Sequence, residues 1–397
     1  MKNRVVVTGL GIISPVGNYP GKYWQNLING VNGISDVEIK GYERCYSKKY
    51  GLLDKEEIRI LEDKYLSGNE HDLPEYAKIA VIAASMAAGS GNITFEDFED
   101  KMKTGVFLGT ASGDLLTYYE DERRLTDKFT APFDIARHFD IHGCISLNTD
   151  ACTAGNQAVS TAADKIRSGE LDTAFVGGSD CYSIISYVIF NRLKVLSPDT
   201  LKPFDANRNG TILSEGSAFL ILENLDHARR KEHKILGEIL GTGITNDAYN
   251  IVSPDPSGEG IINAMELAIH NSGITPNDVE YIAVHGTGTH ANDKTEAYAI
   301  EKVFESHTKE MYASSIKSSI GHQLGAASAT AIATDILIFL NNELPPTMNT
   351  DSYTDIPFRL VTKSSVKKKV DIIMNNAYAF GGGNCSIILK RWDENNE

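Results

Sequence analysis

Three side chains in this sequence have the types and settings needed for covalent chemistry. The first is Cys152, in Asn148-Thr149-Asp150-Ala151-Cys152-Thr153-Ala154-Gly155-Asn156-Gln157-Ala158. A short aliphatic run, Ile145 to Leu147, precedes it. Behind it Ala154, Ala158, Ala162 and Ile166 recur near helical spacing, with Gly169 as a stop signal. The spacing predicts a thiol placed where a strand gives way to a helix. Unpaired N–H groups and a partial positive charge at a helix N-terminus favour the thiolate, the nucleophilic form. The same residue also reads as a buried cysteine serving as a small apolar side chain, the commoner fate of a lone Cys. Taken alone, neither reading wins.

The other two are histidines in glycine-rich settings. His285-Gly286-Thr287-Gly288-Thr289 follows an aliphatic run, so His285 is expected at a strand end where glycines let a ligand approach. A lone histidine there is more often structural, but the flanking hydroxyls and glycines favour a binding loop. Lys317-Ser318-Ser319-Ile320-Gly321-His322 sets a second histidine just before a stretch of small residues, where a helix cap is the bland alternative. A neutral imidazole can donate or accept a hydrogen bond near pH 7, so two of them can serve one site with Cys152. No His, Cys or carboxylate spacing matches a metal-site pattern, and none is expected.

The elements that must position these residues follow from the rest of the chain. It has 397 residues, 42% hydrophobic and 23% charged, an ordinary globular composition long enough for two or three units. A formal net charge of -15 argues against a nucleic-acid surface. Five cysteines without framework spacing point to reduced thiols and a cytoplasmic setting. Met1 to Val7 enters a strand directly, without the pattern of a signal peptide, and the apolar run Ala326 to Leu340 is broken by Ser328, Thr330, Thr334 and Asp335.

Buried strands are predicted at Arg4–Leu10, Thr104–Gly109, Thr173–Gly178, Ile235–Gly243, Tyr281–Val284 and Met311–Ala313, and a strand pair at Thr211–Leu222 turning at Glu215-Gly216. Helices are predicted at Lys22–Asn29, Glu75–Ala88, Asp134–Phe139, Gly260–Asn271 and Ser318–Leu340, and a loop at Asn191–Asn209. Gly9-Leu10-Gly11 lacks the third glycine of a dinucleotide fingerprint, and no cofactor is expected. The segment ending at Leu222 echoes the one ending at Leu389, and the helix after Cys152 echoes the one after His322. Strands alternating with helices argue for an α/β fold.

Together these residues resemble a known family. Cys152 in Asp-Ala-Cys, His285 in His-Gly-Thr-Gly-Thr, Lys317 and His322 in Lys-Ser-x-x-Gly-His, and Phe380 in Phe-Gly-Gly-x-Asn are similar to an elongating β-ketoacyl-[acyl-carrier-protein] synthase of the thiolase superfamily. Pro203-Phe204-Asp205 with Arg208, Gly210, Glu215 and Gly216, and Asn292-Asp293 with Glu296, match as well, so the resemblance spans Arg4 to Leu389. It implies a thiolase-like five-layer αβαβα fold from two similar halves, residues 1–234 with the nucleophile and 235–397 with both histidines. It implies that Cys152 takes an acyl group and that His285 and His322 bind the malonyl thioester carbonyl during decarboxylation. Lys317, Glu296 and Asp293 would hold the histidines in place. The N–H groups of Cys152 and Phe380 would form the oxyanion hole, with Phe380 also gating the acyl pocket. Thr287, Thr289, Ser112, Gly381 and Gly382 would line the substrate site. The implied partners are acyl carrier protein, which brings its own phosphopantetheine, and a second subunit: a homodimer, or a heterodimer with a chain-length subunit.

The chain departs from the family's pattern in four places. The family's Phe-Gly-Phe-Gly-Gly-Thr-Asn is here Tyr378 to Asn384, with Gly383 in place of the threonine. Ser112 stands where a bulky aliphatic residue often limits pocket depth, Leu125 to Cys144 is shorter, and Gly33 to Leu73 matches poorly. These departures favour specialised polyketide or polyene synthesis over membrane fatty-acid synthesis. An initiating synthase would carry His and Asn in place of the two histidines. A non-elongating partner subunit would lack the cysteine, and a malonyl decarboxylase is the remaining alternative. Candidate contacts to an acidic carrier are Arg123, Arg124, Lys128, Arg192, Lys194 and Lys202.

Overall fold

The computed structural model describes residues 3–38, 44–94, 100–113, 130–353 and 356–394. Arg123, Arg124 and Lys128 lie outside the described residues. In chain order the elements that carry the site are β1 (Val5–Ile13), α1 (Glu75–Ser90), β2 (Thr104–Gly109), β3 (Ile145–Asn148), α2 (Ala154–Arg167), β4 (Thr173–Asp180), α3 (Ile184–Arg192) and β5 (Gly216–Asn224). After a connector come β6 (Gly237–Asn246), α4 (Glu259–Ser272), β7 (Tyr281–Ala283), α5 (His290–Phe304), β8 (Tyr312–Ser314), α6 (Ala327–Asn341), β9 (Arg359–Leu360), β10 (Ile372–Tyr378) and β11 (Gly383–Arg391).

The eleven strands hydrogen-bond in the order β9-β8-β7-β10-β11-β6-β1-β5-β4-β2-β3. One pattern is written twice in that order. Outward from β1, the chain pairs antiparallel with β5, which pairs antiparallel with β4; β2 and β3 then follow in parallel. Outward from β6, β11 and β10 follow antiparallel, then β7 and β8 in parallel. The two runs meet over three residue pairs only, Val5 to Val7 against Ile239 to Gly237.

Five layers result. α1 covers the outer face of the first run and α4 that of the second, while α2 and α6 pack against each other between them. A helix between two sheets has no solvent face, so its sequence is apolar or small all round. α6 follows this rule, with twelve of its residues buried. Residues 324–341 have the length and hydropathy of a membrane span, yet 83% of that stretch is buried inside the protein. Close packing explains the small residues of α2: a Cβ added at Gly155 would lie 2.7 Å from the Ala329 N of α6.

Several elements differ from expectation. β1 does not end at Gly9-Leu10-Gly11 but runs on to Ile13. Gly11 is needed for helix packing instead of a turn, because a Cβ there would lie 2.1 Å from the Ala83 carbonyl oxygen of α1. The strand pair expected at Thr211–Leu222 is one strand, β5; Thr211, Leu213 and Ser214 form only isolated bridges to Leu196, His322 and Gly51. The helix expected over Ser318–Leu340 is broken. Lys317–Ile320 is a single turn, Gly321 takes a left-handed φ of 80°, and α6 starts only at Ala327. Helix α3 ends inside the stretch expected to be a loop.

Candidate active site

Cys152 sits on an elbow. β3 ends at Asn148, and Ala151 adopts φ 45°, a left-handed conformation that costs a residue with a Cβ roughly 1–2 kcal/mol. One 3-10 turn, Ala151–Thr153, then leads into α2. Such strain is retained where the surroundings over-determine it, and here it presents the thiol at the head of the central helix. His285 lies two residues beyond the end of β7, with Gly286 and Gly288 both at positive φ. His322 is pinned by its backbone: its N–H donates to the Ile212 carbonyl at 2.7 Å, and its carbonyl accepts from the Ser214 N–H at 2.9 Å.

The fold brings the three together. A ligating atom from each of Cys152, His285 and His322 lies within 4.8 Å of the other two, and all three residues are buried. The imidazole rings meet edge to face with centroids 5.6 Å apart, and the Tyr378 ring flanks His285 at 5.6 Å. The backbone N–H of Leu324 donates to His322 Nδ1 at 3.1 Å. The ring proton therefore sits on Nε2, which is buried and has no partner among the described residues. His322 is a fixed hydrogen-bond donor waiting for an acceptor. The same tautomer opposes metal binding by this triad, because Nε2 would have to give up its proton while Nδ1 already accepts one.

The supporting residues act mostly through the backbone. Lys317 Nζ donates to the His285 carbonyl at 2.6 Å. Glu296 accepts from the N–H groups of His285 and Gly286, at 2.7 and 2.9 Å. Asp293 bonds neither histidine, contrary to expectation. It accepts from the Phe204 and Gly288 N–H groups, at 2.7 and 3.2 Å, and from the Asn292 amide at 3.1 Å, so it ties two loops together. His322 is held by Leu324, which neither the residue types nor their spacing indicated.

Electrostatics overturn one expectation. Burial pushes the Cys152 thiol up to about 12, against the pull of the Lys317 ammonium, so the resting group is a thiol and not a ready thiolate. The elbow does place it at a helix head, but it is only 6% exposed, and burial is the largest influence on the thiol. Burial, then Lys317, hold both imidazoles well below the usual histidine range. Burial also lowers Lys317 to about 8 and raises Glu296 to about 7, the latter against the donors from Gly286 and His285. The centre is poised near neutrality throughout.

The remaining candidates divide. Phe380 lies in the turn between β10 and β11, half-buried, its ring stacked on Phe190 of α3 at 5.3 Å. A Cβ at the neighbouring Gly383 would lie 3.3 Å from Thr153 Oγ1, which puts this turn beside the Cys152 elbow. Among the described residues the N–H groups of Cys152 and Phe380 reach no backbone carbonyl outside a helix or strand. Those of Gly381 and Gly382 are not free, because they donate to the Ile251 and Ala379 carbonyls. Thr287 and Thr289 share a hydroxyl bond of 2.9 Å at the head of α5. Ser112 is buried after β2, its N–H given to Asp180.

Asp180 is the residue that sequence reasoning missed. It ends the buried strand β4 and accepts from the Thr110 hydroxyl and the N–H groups of Ala111, Ser112 and Gly325, all at 2.7–2.9 Å. Burial pushes its carboxyl up to about 6 against those donors. An acid closing the run Gly177-Gly178-Ser179-Asp180 was the available signal.

Comparison with known proteins gives the family. The model of the "Beta-ketoacyl synthase, N-terminal domain" matches residues 2–228, and that of the "Beta-ketoacyl synthase, C-terminal domain" matches residues 236–351. The 3-oxoacyl-[acyl-carrier-protein] synthase 2 of Synechocystis is 31% identical, covering 98% of this chain and 99% of its own. Two solved structures superpose with a TM-score of 0.90, each covering 99% of this chain and 100% of its own. One is the ishigamide ketosynthase/chain length factor, 30% identical; the other is a type II PKS acyl-carrier protein in complex with its ketosynthase bound to the hexaketide, 26% identical. The chain belongs to the β-ketoacyl synthase family, thiolase-like in fold, whose members transfer acyl groups and form carbon–carbon bonds.

Proposed function

We propose that the protein condenses an acyl group held on Cys152 with malonyl-acyl carrier protein, releasing carbon dioxide and 3-oxoacyl-acyl carrier protein. The convergence of Cys152, His285 and His322 carries this reading. In the first half-reaction the Cys152 sulfur bonds the acyl carbon of an acyl-carrier thioester. The carbon–sulfur bond to the carrier breaks, and the thiol proton leaves with the carrier sulfur. A thiol held up to about 12 needs a proton acceptor for this step, and the neutral His285 imidazole beside it is in place.

In the second half-reaction the malonyl carboxylate leaves as carbon dioxide. Its electron pair passes to the thioester carbonyl as an enolate, whose oxygen takes hydrogen bonds from His322 Nε2 and His285. The enolate carbon attacks the acyl-Cys152 carbonyl, and the Cys152 sulfur departs as thiolate and takes a proton from solvent. The N–H groups of Cys152 and Phe380 stabilise the oxyanion, a contribution of about 2.7–4 kcal/mol per donor in other enzymes. Lys317 and Glu296 hold the His285 backbone, while Thr287 and Thr289 bind the pantetheine arm.

On this reading residues 1–234 form the half that supplies the nucleophile, and 235–397 the half that supplies both histidines. The partner is acyl carrier protein, which brings the phosphopantetheine, so no free cofactor is needed. The working unit is a homodimer, or a heterodimer with a chain-length subunit, in the cytoplasm. Five free cysteines suit such a reducing setting. Specialised polyketide or polyene synthesis is favoured by Ser112 and Gly383. Mass spectrometry of products formed from malonyl-carrier and a panel of acyl-carriers tests the reading. A 3-oxoacyl product extended by two carbons supports it. Carbon dioxide release with no extended product would make the protein a malonyl decarboxylase instead.

A further inference from the structure

His322 can donate from Nε2 only while Nδ1 stays bare, and the Leu324 N–H that Nδ1 accepts is held under strain. Leu324 adopts φ 52°, a left-handed conformation unfavourable for a residue with a Cβ. It opens the single 3-10 turn Leu324–Ala326 that leads into α6. Two peptides flank it. One carries the N–H that donates to His322 Nδ1 at 3.1 Å; the other carries the Gly325 N–H, which donates to Asp180 Oδ2 at 2.7 Å. If the left-handed φ relaxed, at least one of these peptides would have to turn. Asp180 is fully buried, and Leu324 and His322 are 2% exposed, so bulk water is a poor substitute for either bond.

Strand β4 is shaped to receive this turn. Gly178 and Asp180 stand two residues apart and lie on the same face of the strand. A Cβ at Gly178 would lie 2.8 Å from the Gly325 carbonyl oxygen, and one at Gly325 would lie 2.5 Å from the Ala111 N. The two glycines let the turn settle between β4 and the loop after β2, and Asp180 closes the seam. Its Oδ1 accepts from the Thr110 hydroxyl at 2.8 Å and the Ser112 N–H at 2.9 Å. Its Oδ2 accepts from the Ala111 N–H at 2.9 Å and from Gly325. Among the described residues Asp180 makes no hydrogen bond to the His322 ring, so its reach to that ring runs through the turn.

We propose that Asp180 is a positioning residue for malonyl decarboxylation: by binding the Gly325 N–H it holds Leu324 in the left-handed conformation and so keeps the His322 proton on Nε2. The inference rests on the condensing reading above for what that donor does. The tautomer itself is a separate observable, and it can be measured without substrate.

The test is nitrogen NMR of the full-length protein carrying isotope-labelled histidine, with His322 assigned as the pair of ring signals missing from His322→Ala. The unaltered protein should show a bare Nδ1 and a protonated Nε2. Asp180→Asn keeps the size of the side chain, but whichever way the amide turns it sets an NH₂ group against N–H donors. This variant should show His322 in a mixture of tautomers. It should decarboxylate malonyl-carrier about tenfold slower or more, up to the ~10²–10³-fold expected for losing one preorganised donor. The loss should fall in kcat with KM little changed, while acylation of Cys152 persists. Asp180→Glu keeps two acceptor oxygens and should recover the single tautomer and most of the rate. Asp180→Ala leaves room for water; it carries the same expectation as the amide and replaces it if the amide does not fold. A variant with native circular dichroism in which His322 keeps its single tautomer overturns the inference. So does an equal loss of acylation and decarboxylation with the tautomer unmoved. No decarboxylation by the unaltered protein would remove the condensing reading, and the ring signals would still decide whether Asp180 sets the tautomer.

Discussion

Two of the buried groups of titratable side chains among the described residues have opposite designs. At the join between the two runs of strands, Glu223 is fully buried and accepts from His227 Nδ1 at 2.8 Å, from His233 Nδ1 at 2.9 Å and from the Thr8 hydroxyl. Against the cost of burial, the two histidines pull its carboxyl down to about 2. Every oxygen is paired, and nothing is left to bind a ligand. Around Cys152 the groups are equally buried, yet His322 Nε2 has no partner among the described residues and the thiol, both imidazoles, Lys317 and Glu296 are all shifted toward their neutral forms. A closed set of partners fixes charge and shape, whereas an incomplete set of neutral groups leaves room for a reacting molecule.

The largest effect that could break this contrast is at the nucleophile. Cys152→Ala should abolish formation of the acyl-enzyme. Mass mapping after incubation with an acyl-carrier should find the adduct only on Cys152; an adduct on Cys45, Cys144, Cys181 or Cys385 instead would sink the assignment. Next comes the unpaired donor. His322→Ala should slow malonyl decarboxylation by about 10²–10³-fold, the usual cost of losing one preorganised donor, while some acylation of Cys152 persists. Decarboxylation at the unaltered rate would mean that the orphaned Nε2 is not aimed at substrate.

The paired cluster makes the reverse prediction. Glu223→Gln should cost about 1–3 kcal/mol in urea unfolding, as expected for leaving buried hydrogen-bond partners unsatisfied, with the decarboxylation rate unchanged. Its folded carboxyl lies below its unfolded value, so its contribution is present above pH 4.5 and lost as pH falls from there toward about 2. The variant should therefore lose that part of the acid limb; an unchanged limb would contradict the pairing. The smallest effect is expected from exposed charges that belong to neither design. Arg192 and Lys194 are exposed at and just beyond the end of α3. Reversing either should raise KM for acyl-carrier several-fold, more at low salt, because exposed charges are screened over ~8 Å at physiological ionic strength. Turnover of a small acyl-pantetheine should barely change, and an equal loss with both substrates would rule out docking there.

What could be read from the sequence follows from how local each feature is. Cys152, His285 and His322 were legible because glycines and small residues must surround a group that a ligand approaches. β2 was legible because a run buried on both faces is continuously apolar. Helix α3 was not, because Ile184 to Phe190 is apolar without an amphipathic period. The Asp180 hub joins residues 70 and 145 positions apart, and no spacing rule reaches that far. The raised thiol escaped for a related reason: a helix head is visible in sequence, but the burial that raises the thiol involves residues far away in the chain, among them His285 and His322.

The three-pair join between the runs has a consequence for synthesis. Strand pairing spans little of the join, so α6, which packs on α2 and on strands β5 and β4, carries much of it. α2 leaves the ribosome long before α6 exists. At ~5–20 residues per second, translation from Arg167 to Ala327 takes roughly ten to thirty seconds. Through that interval the inner face of α2 has no helix to cover it, and the elbow bearing Cys152 is open to solvent and to other nascent chains. Chains arrested before Ala327 should be cut by protease within α2, and chains arrested after the last strand should not. For a cell making this protein, the vulnerable species is the half-made chain, with its one reactive thiol uncovered.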